Sequence, residues 1–315
     1  MNAHNLRRLV AWAALTACLL PCPLGHGVLL AAPPANTATQ TQSTAAQTIV
    51  DQALRPKATR IAPRRLDVNL PVQVSFETGA VQQADITPDG KWLVLARLSG
   101  GYSELWLRSL DPGLSVLPRR LAPALADRLS PALSPDGKRL AFVGMEDDVK
   151  GDIYLLDLTR PEAKAQKLTG REAEEGAPVF APDGRTLYFH QRLPGQNARR
   201  IVAMGIDAPG SPRVIETGGD AFSPAISPDG ARLAFVSSRD RKRGGSAVYL
   251  MDLPAGESAR LTSGQASESM PRFSPDGKSV FFVSAPFAAP SDPTGQLAPC
   301  IAKATSRPGS APRQL

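Results

Sequence analysis

The 315-residue chain is poor in the side chains that most often carry chemistry. It has three cysteines and three histidines, and only Cys300 and His190 lie beyond residue 30. A disulfide within the bulk of the chain would need a second thiol, so a disulfide-stapled fold is excluded. No His and Cys spacing suits zinc. A Gly-x-Ser-x-Gly nucleophile elbow is missing, as are Walker-type and Gly-x-Gly-x-x-Gly loops, which removes the usual hydrolase and nucleotide-binding signatures. Cationic charge is also scarce where it would matter. The net charge is +7, but residues 1–66 hold Arg7, Arg8, Arg55, Lys57, Arg60, Arg64 and Arg65 against Asp51 alone, a balance of +6 that leaves +1 for the remainder. The broad basic surface that phosphate backbones require is absent, so nucleic acid is not an expected partner.

What the chain has in abundance is turn chemistry, with 30 prolines and 26 glycines. Pro-Asp-Gly occurs five times, as Pro88-Asp89-Gly90, Pro135-Asp136-Gly137, Pro182-Asp183-Gly184, Pro228-Asp229-Gly230 and Pro275-Asp276-Gly277, at intervals of 47, 47, 46 and 47 residues. Proline presets φ for the first corner of a turn, aspartate bonds its own backbone, and glycine accepts positive φ at the exit. Each copy is a hairpin signal between two short apolar runs, strands a and b, such as Pro178-Val179-Phe180 and Leu187-Tyr188-Phe189. A third run, strand c, follows a variable loop, as in Ile153 to Leu158 and Val248 to Leu253. A fourth, strand d, is marked by Leu121, Leu168, Ile215, Leu261 and Leu315. Four short strands per 47 residues are one propeller blade, and the near-continuous apolar b and c strands imply that both faces of each blade are covered. The fold class is all-β, a β-propeller of four-stranded blades. Five repeats are recognisable, and a sixth d-like strand, Val74 to Gly79, precedes the first. The ring therefore has five blades closed by that strand, or six with one incomplete.

Ser-Pro-Asp-Gly-Lys-x-Leu-Ala-Phe followed by Ile-Tyr-Leu-x-Asp-Leu resembles the WD40-like repeat of TolB-type β-propellers, over roughly residues 71–315. The resemblance implies a periplasmic, protein-binding platform, while related propellers cover serine peptidases. The chain departs from TolB itself in having only some 35 residues between its apolar N-terminus and the propeller, too few for an N-terminal α/β domain.

Arg7-Arg8 followed by an apolar stretch to Ala32 reads as an export signal. The expected organisation is a signal or anchor over 1–32, a Pro/Ala/Thr/Gln-rich and basic linker over 33–66, and the propeller over 67–315. Leu15-Thr16-Ala17-Cys18 fits a lipobox, so Cys18 is a candidate lipidation site, with ordinary cleavage as the alternative. Export places the protein in the periplasm, with a membrane contact only through the N-terminus.

No catalytic residue, metal or cofactor is expected. Cys300 reads as a small buried residue in strand c, and His190, at the end of a b strand, as structural or surface-lying. Recurrent aspartates at the end of strand c, including Asp157 and Asp252, read as turn caps. In propellers the b–c and d–a loops share one face, opposite the Pro-Asp-Gly turns, and these loops differ between repeats. The candidate partner-binding residues are therefore Glu174, Glu175, Asp220 and Glu268 on the d–a loops, with Arg241, Lys242 and Arg243 on a b–c loop. The expected partner is a protein or envelope component. The competing expectations are a propeller subunit of a hydrolase or peptidase, and a sugar or metal site in the channel.

Overall fold

The computed structural model describes residues 80–314 apart from residue 88 and the segments 112–116, 123–125, 147–148, 161, 171–172, 241–244, 264–265, 287–299 and 308–312. The expected signal, the linker, Cys18, Pro88, the Val74 to Gly79 strand, Leu315 and the Arg241-Lys242-Arg243 run lie outside the described residues.

Twenty strands form five four-stranded antiparallel sheets, one for each repeat, arranged as a five-bladed propeller. Blade one contains β1 (Val81–Ile86), β2 (Trp92–Ser99), β3 (Tyr102–Ser109) and β4 (Arg119–Leu121). Blade two contains β5 (Arg128–Leu133), β6 (Arg139–Gly144), β7 (Asp152–Asp157) and β8 (Gln166–Lys167). Blade three contains β9 (Glu174–Phe180), β10 (Thr186–Arg192), β11 (Arg200–Gly205) and β12 (Arg213–Ile215). Blade four contains β13 (Ala221–Ile226), β14 (Arg232–Ser237), β15 (Ala247–Asp252) and β16 (Ser258–Arg260). Blade five contains β17 (Ala266–Phe273), β18 (Ser279–Pro286), β19 (Cys300–Thr305) and β20 (Arg313–Gln314).

The Pro-Asp-Gly turns work as their chemistry requires. The glycine is left-handed in every copy, with φ of +68° at Gly90, +68° at Gly137, +64° at Gly184, +74° at Gly230 and +66° at Gly277. In blade two the Arg139 amide donates to Ser134 Oγ at 2.9 Å, and that hydroxyl donates to Asp136 Oδ1 at 2.6 Å. Asp136 Oδ1 also accepts from the Lys138 amide at 3.1 Å. The same relay runs through Thr87 and Asp89, Ser227 and Asp229, and Ser274 and Asp276. Blade three has Ala181 where the hydroxyl should be. There Thr186 replaces it from the other side of the turn, donating Oγ1 to Asp183 Oδ2 at 2.8 Å. Hydrogen bonding to the charged form holds the exposed turn carboxyls of Asp89, Asp136, Asp229 and Asp276 below the usual range.

The inner strands of blades two to five carry a register shift at the same place, and that of blade one carries an earlier one, between Val81 and Gln83. In blades two to five a left-handed residue stands there, Ser130, Ala177, Ser223 or Met270, with φ between 48° and 53°. Each precedes a proline, which is tolerated because strand a is the free edge of its sheet and the bulge needs no ladder donor.

Strand b explains the continuous apolar runs. Leu140 and Phe142 pack with Val94, Ala96 and Leu105 of the preceding blade, while Ala141 and Val143 pack with Phe189 and Val202 of the following one. Equivalent clusters join blades three and four, and four and five. A fully buried Phe or Leu contributes about 1.5–3 kcal/mol, so these interfaces supply most of the cohesion. Blade five differs on the face that no later blade follows. Ile301 is 55% exposed, whereas Leu105, Ile153, Ile201 and Val248 at the same position are 0% exposed. Cys300 opens β19 at its rim and is half-buried rather than buried, with Sγ 3.6 Å from the Ser284 carbonyl.

Candidate binding face

On the face opposite the Pro-Asp-Gly turns, carboxylates of the d–a corners reach back to the start of strand c in the preceding blade. Asp127 accepts from the Ser103 amide at 2.8 Å. Glu175 takes hydrogen bonds from Thr169 Oγ1 and, at 2.9 Å, from Gln191 Nε2, and Thr169 in turn accepts from the Ile153 amide at 2.9 Å. Glu268 repeats that arrangement with Thr262 Oγ1 and with the Val248 amide at 3.1 Å. Asp220 accepts from the Arg199 amide at 2.8 Å and from its guanidinium at 2.9 and 3.1 Å, with Ser238 Oγ as a further donor.

The electrostatics follow from burial. Glu175 and Glu268 are 4% and 3% exposed, and desolvation pushes both carboxyls up. Burial would raise Asp220 too, but the Arg199 and Ser238 hydrogen bonds outweigh it and bring the carboxyl down to about 2. The d–a carboxylates are thus latches between blades. A partner reaches Glu175 or Glu268 only by opening a blade contact. Glu174 differs, lying at the surface in an ion pair with Arg192. The four acidic candidates sit on three different blade corners and share no cluster. Among the described residues no group of three or more His, Cys, Asp or Glu side chains could hold a metal ion.

His190 lies against Phe222, ring centroids 6.5 Å apart at 80°, in the corner where Arg199 stacks on that phenyl ring at 3.6 Å. Its ring occupies the space a side chain at Gly176 would take, since a Cβ there would meet Cε1 at 2.5 Å. Nδ1 is buried without a hydrogen-bond partner. Burial, then the Arg199 charge, lower its pKa from 6.5 to about 3.

The loop face presents apolar surface that charge-based reading of the sequence passed over. Tyr102, 39% exposed, ends the b–c loop of blade one, and Val149, 73% exposed, lies on that of blade two. Met270, 42% exposed, lies in the inner strand of blade five.

Comparison with known proteins gives a consistent picture. Residues 195–290 match the TolB beta propeller domain. An uncharacterized protein, Atu1656, of Agrobacterium fabrum is 29% identical over 221 residues, covering 67% of this chain and 72% of that protein. A TolB homolog of Chlorobium luteolum is 30% identical over 53% of this chain, and the match spans only 36% of that relative's length. The solved structure of a candidate TolB from Agrobacterium tumefaciens superposes with a TM-score of 0.61 at 24% identity, covering 76% of this chain and 81% of that one.

Proposed function

Since the chain is built from repeats of the TolB-type propeller family, we propose that it is an exported, non-enzymatic scaffold of the bacterial envelope that binds a partner protein through its b–c and d–a loop face. The observation that carries this reading is the exposure of Tyr102 and Val149 on neighbouring blades of that face. Exposed aromatic and aliphatic side chains beside charge are the composition of protein interfaces. The ion pair of Glu174 with Arg192 would form part of the polar rim, and the cationic loop Arg241-Lys242-Arg243 would add charge selectivity. The propeller supplies rigidity, because its titratable corner groups are consumed in holding blades together. Arg7-Arg8 and the apolar run after them would direct export, with Cys18 as the acylated residue if the protein is membrane-tethered.

The test is capture from envelope fractions by the immobilised full chain. Replacing Tyr102 and Val149 together by Glu should reduce capture about tenfold or more, while Lys278→Glu on the opposite face leaves it intact. The reverse pattern would assign the wrong face. In parallel, a reporter fused after residue 66 should reach the periplasm, and Cys18→Ala should release it from membranes if Cys18 is lipidated. A reporter that stays in the cytoplasm would overturn the export reading.

A further inference from the structure

The Pro-Asp-Gly face carries an asymmetry between blades. Where blade four meets blade five, Arg232 opens strand b and spans the groove, with its guanidinium donating to the Gly277 carbonyl at 2.8 Å and the Ser306 carbonyl at 2.7 Å, beside the Phe273 ring at 5.7 Å. Where blade two meets blade three, Arg139 at the same position donates to the Gly184 carbonyl at 3.3 Å. In blade one that position is Trp92, which has no guanidinium to offer. The structural counterparts of Gly277, Ser306 and Phe273 are Gly137, Leu158 and Leu133, and these residues, with Trp92 and Leu107, line a cavity of about 310 Å³.

The groove after blade three lacks the arginine strut as well, with Thr186 at that position, but the groove between blades one and two differs from it in being walled by an indole and three leucines. Its polar margin is cationic. Arg119 and Lys138 line it, and among the described residues neither forms an ion pair. Two aspartates of the blade are bonded locally, Asp136 to Ser134 and the Lys138 amide, with the Lys138 charge acting on it without an ion-pair contact, and Asp157 to Thr159 and to Arg160 at 2.8 Å. Leu117 stands at the mouth, 87% exposed.

We propose that this groove binds an extended segment of a partner protein that carries a large apolar side chain flanked by carboxylates. The cavity lies at the small end of the roughly 300–1,000 Å³ typical of ligand pockets, which suits one or two side chains. Two cations that form no ion pair among the described residues favour an acidic flank. The same charge argues against the chain's own N-terminal segment as the occupant, because residues 1–66 carry a balance of +6. The site is distinct from the loop face proposed above and stands or falls without it.

The experiment uses the full chain and a fluorescein-labelled peptide, acetyl-Asp-Leu-Phe-Asp-amide, followed by anisotropy. Saturable binding with a Kd below about 1 mM is expected. Trp92→Arg, which restores the strut found in blades two and four, and Lys138→Glu should each weaken binding about tenfold or more. If Trp92→Arg fails to fold, Lys138→Glu still reads the site, because its side chain is at the surface. The Lys-flanked analogue and a peptide of residues 55–66 should bind at least tenfold more weakly, or about 1.4 kcal/mol. The proposal is overturned by the absence of saturation at about 5 mM peptide, by equal affinity for the basic peptides, or by variants that bind as the parent does.

Discussion

Lowering the pH from 7 to 5 should destabilise the propeller through His190. In the folded chain the imidazole is held neutral by burial and by the Arg199 charge, with Asp220 opposing and Arg192 adding a smaller push, so that its pKa falls to about 3. In the unfolded chain it titrates near 6.5. Between these values the unfolded state binds a proton that the folded state refuses. Stability therefore falls as the pH drops through the unfolded value, and the loss levels off only near pH 3. At pH 5 the cost is about 1.36 kcal/mol for each of the 1.5 pH units below 6.5, or roughly 2 kcal/mol, an upper figure because residue 190 is only part-buried. Glu175, Glu268 and Asp85 act in the opposite sense, since their raised carboxyls favour the fold at low pH and lose that advantage as pH rises through the folded values. The contribution of His190 is thus read as a difference. Urea unfolding of the full chain and of His190→Phe at pH 7 and pH 5 should show a pH-dependent loss smaller by up to about 2 kcal/mol in the variant. His4 and His26 are common to both proteins and cancel. Identical pH dependence in the two would refute the assignment of a neutral, desolvated ring.

Two further outcomes follow from the turns and the latches. Gly184→Val should cost roughly 1–3 kcal/mol by urea midpoint, because φ there is +64° and a β-branched residue is strained at positive φ even where space is open; an unchanged midpoint would mean that the turn tolerates it. Glu268→Ala should cost about 1–3 kcal/mol by leaving the buried Thr262 hydroxyl short of an acceptor and the Val248 amide with Thr262 Oγ1 alone, and Glu268→Gln should cost less because its amide oxygen still accepts. Equal losses in the two variants would show that packing, not the hydrogen bonds, sets the energy.

The blade was legible in the sequence because its determinants are local. Pro, Asp and Gly act on their own backbone within five residues, so the same letters produce the same bonds in every copy, and the exception at Ala181 is repaired within the same turn by Thr186. The latches were less legible because their partners come from the preceding blade. Glu175 and Glu268 look like loop charges until their donors are known. A signal was nevertheless present, for each stands six residues after a threonine in a Leu-Thr pair, Leu168-Thr169 and Leu261-Thr262. A repeated acid at a fixed distance from a repeated hydroxyl indicates a structural bond, by the same logic that marks the turn aspartates as structural.

That logic also separates scaffold from site on geometric grounds. Cohesion between blades needs complementary residues on both sides of every groove, so a position that holds Arg139 and Arg232 in two blades is under a packing demand that its counterpart Trp92 does not meet in the same way. No single repeat reveals this, because the guanidinium reaches a carbonyl some 45 residues away, in the next blade. The departure becomes interpretable only when the grooves are superposed. Arginine fills its groove with hydrogen bonds, whereas tryptophan lines it with apolar surface, and among the described residues Arg119 and Lys138 beside it form no ion pair. An unfilled apolar groove with a cationic margin costs cohesion at that interface. Restoring arginine at position 92 should return it, so a higher urea midpoint in Trp92→Arg together with lost peptide binding would show that the two properties trade against each other at one residue.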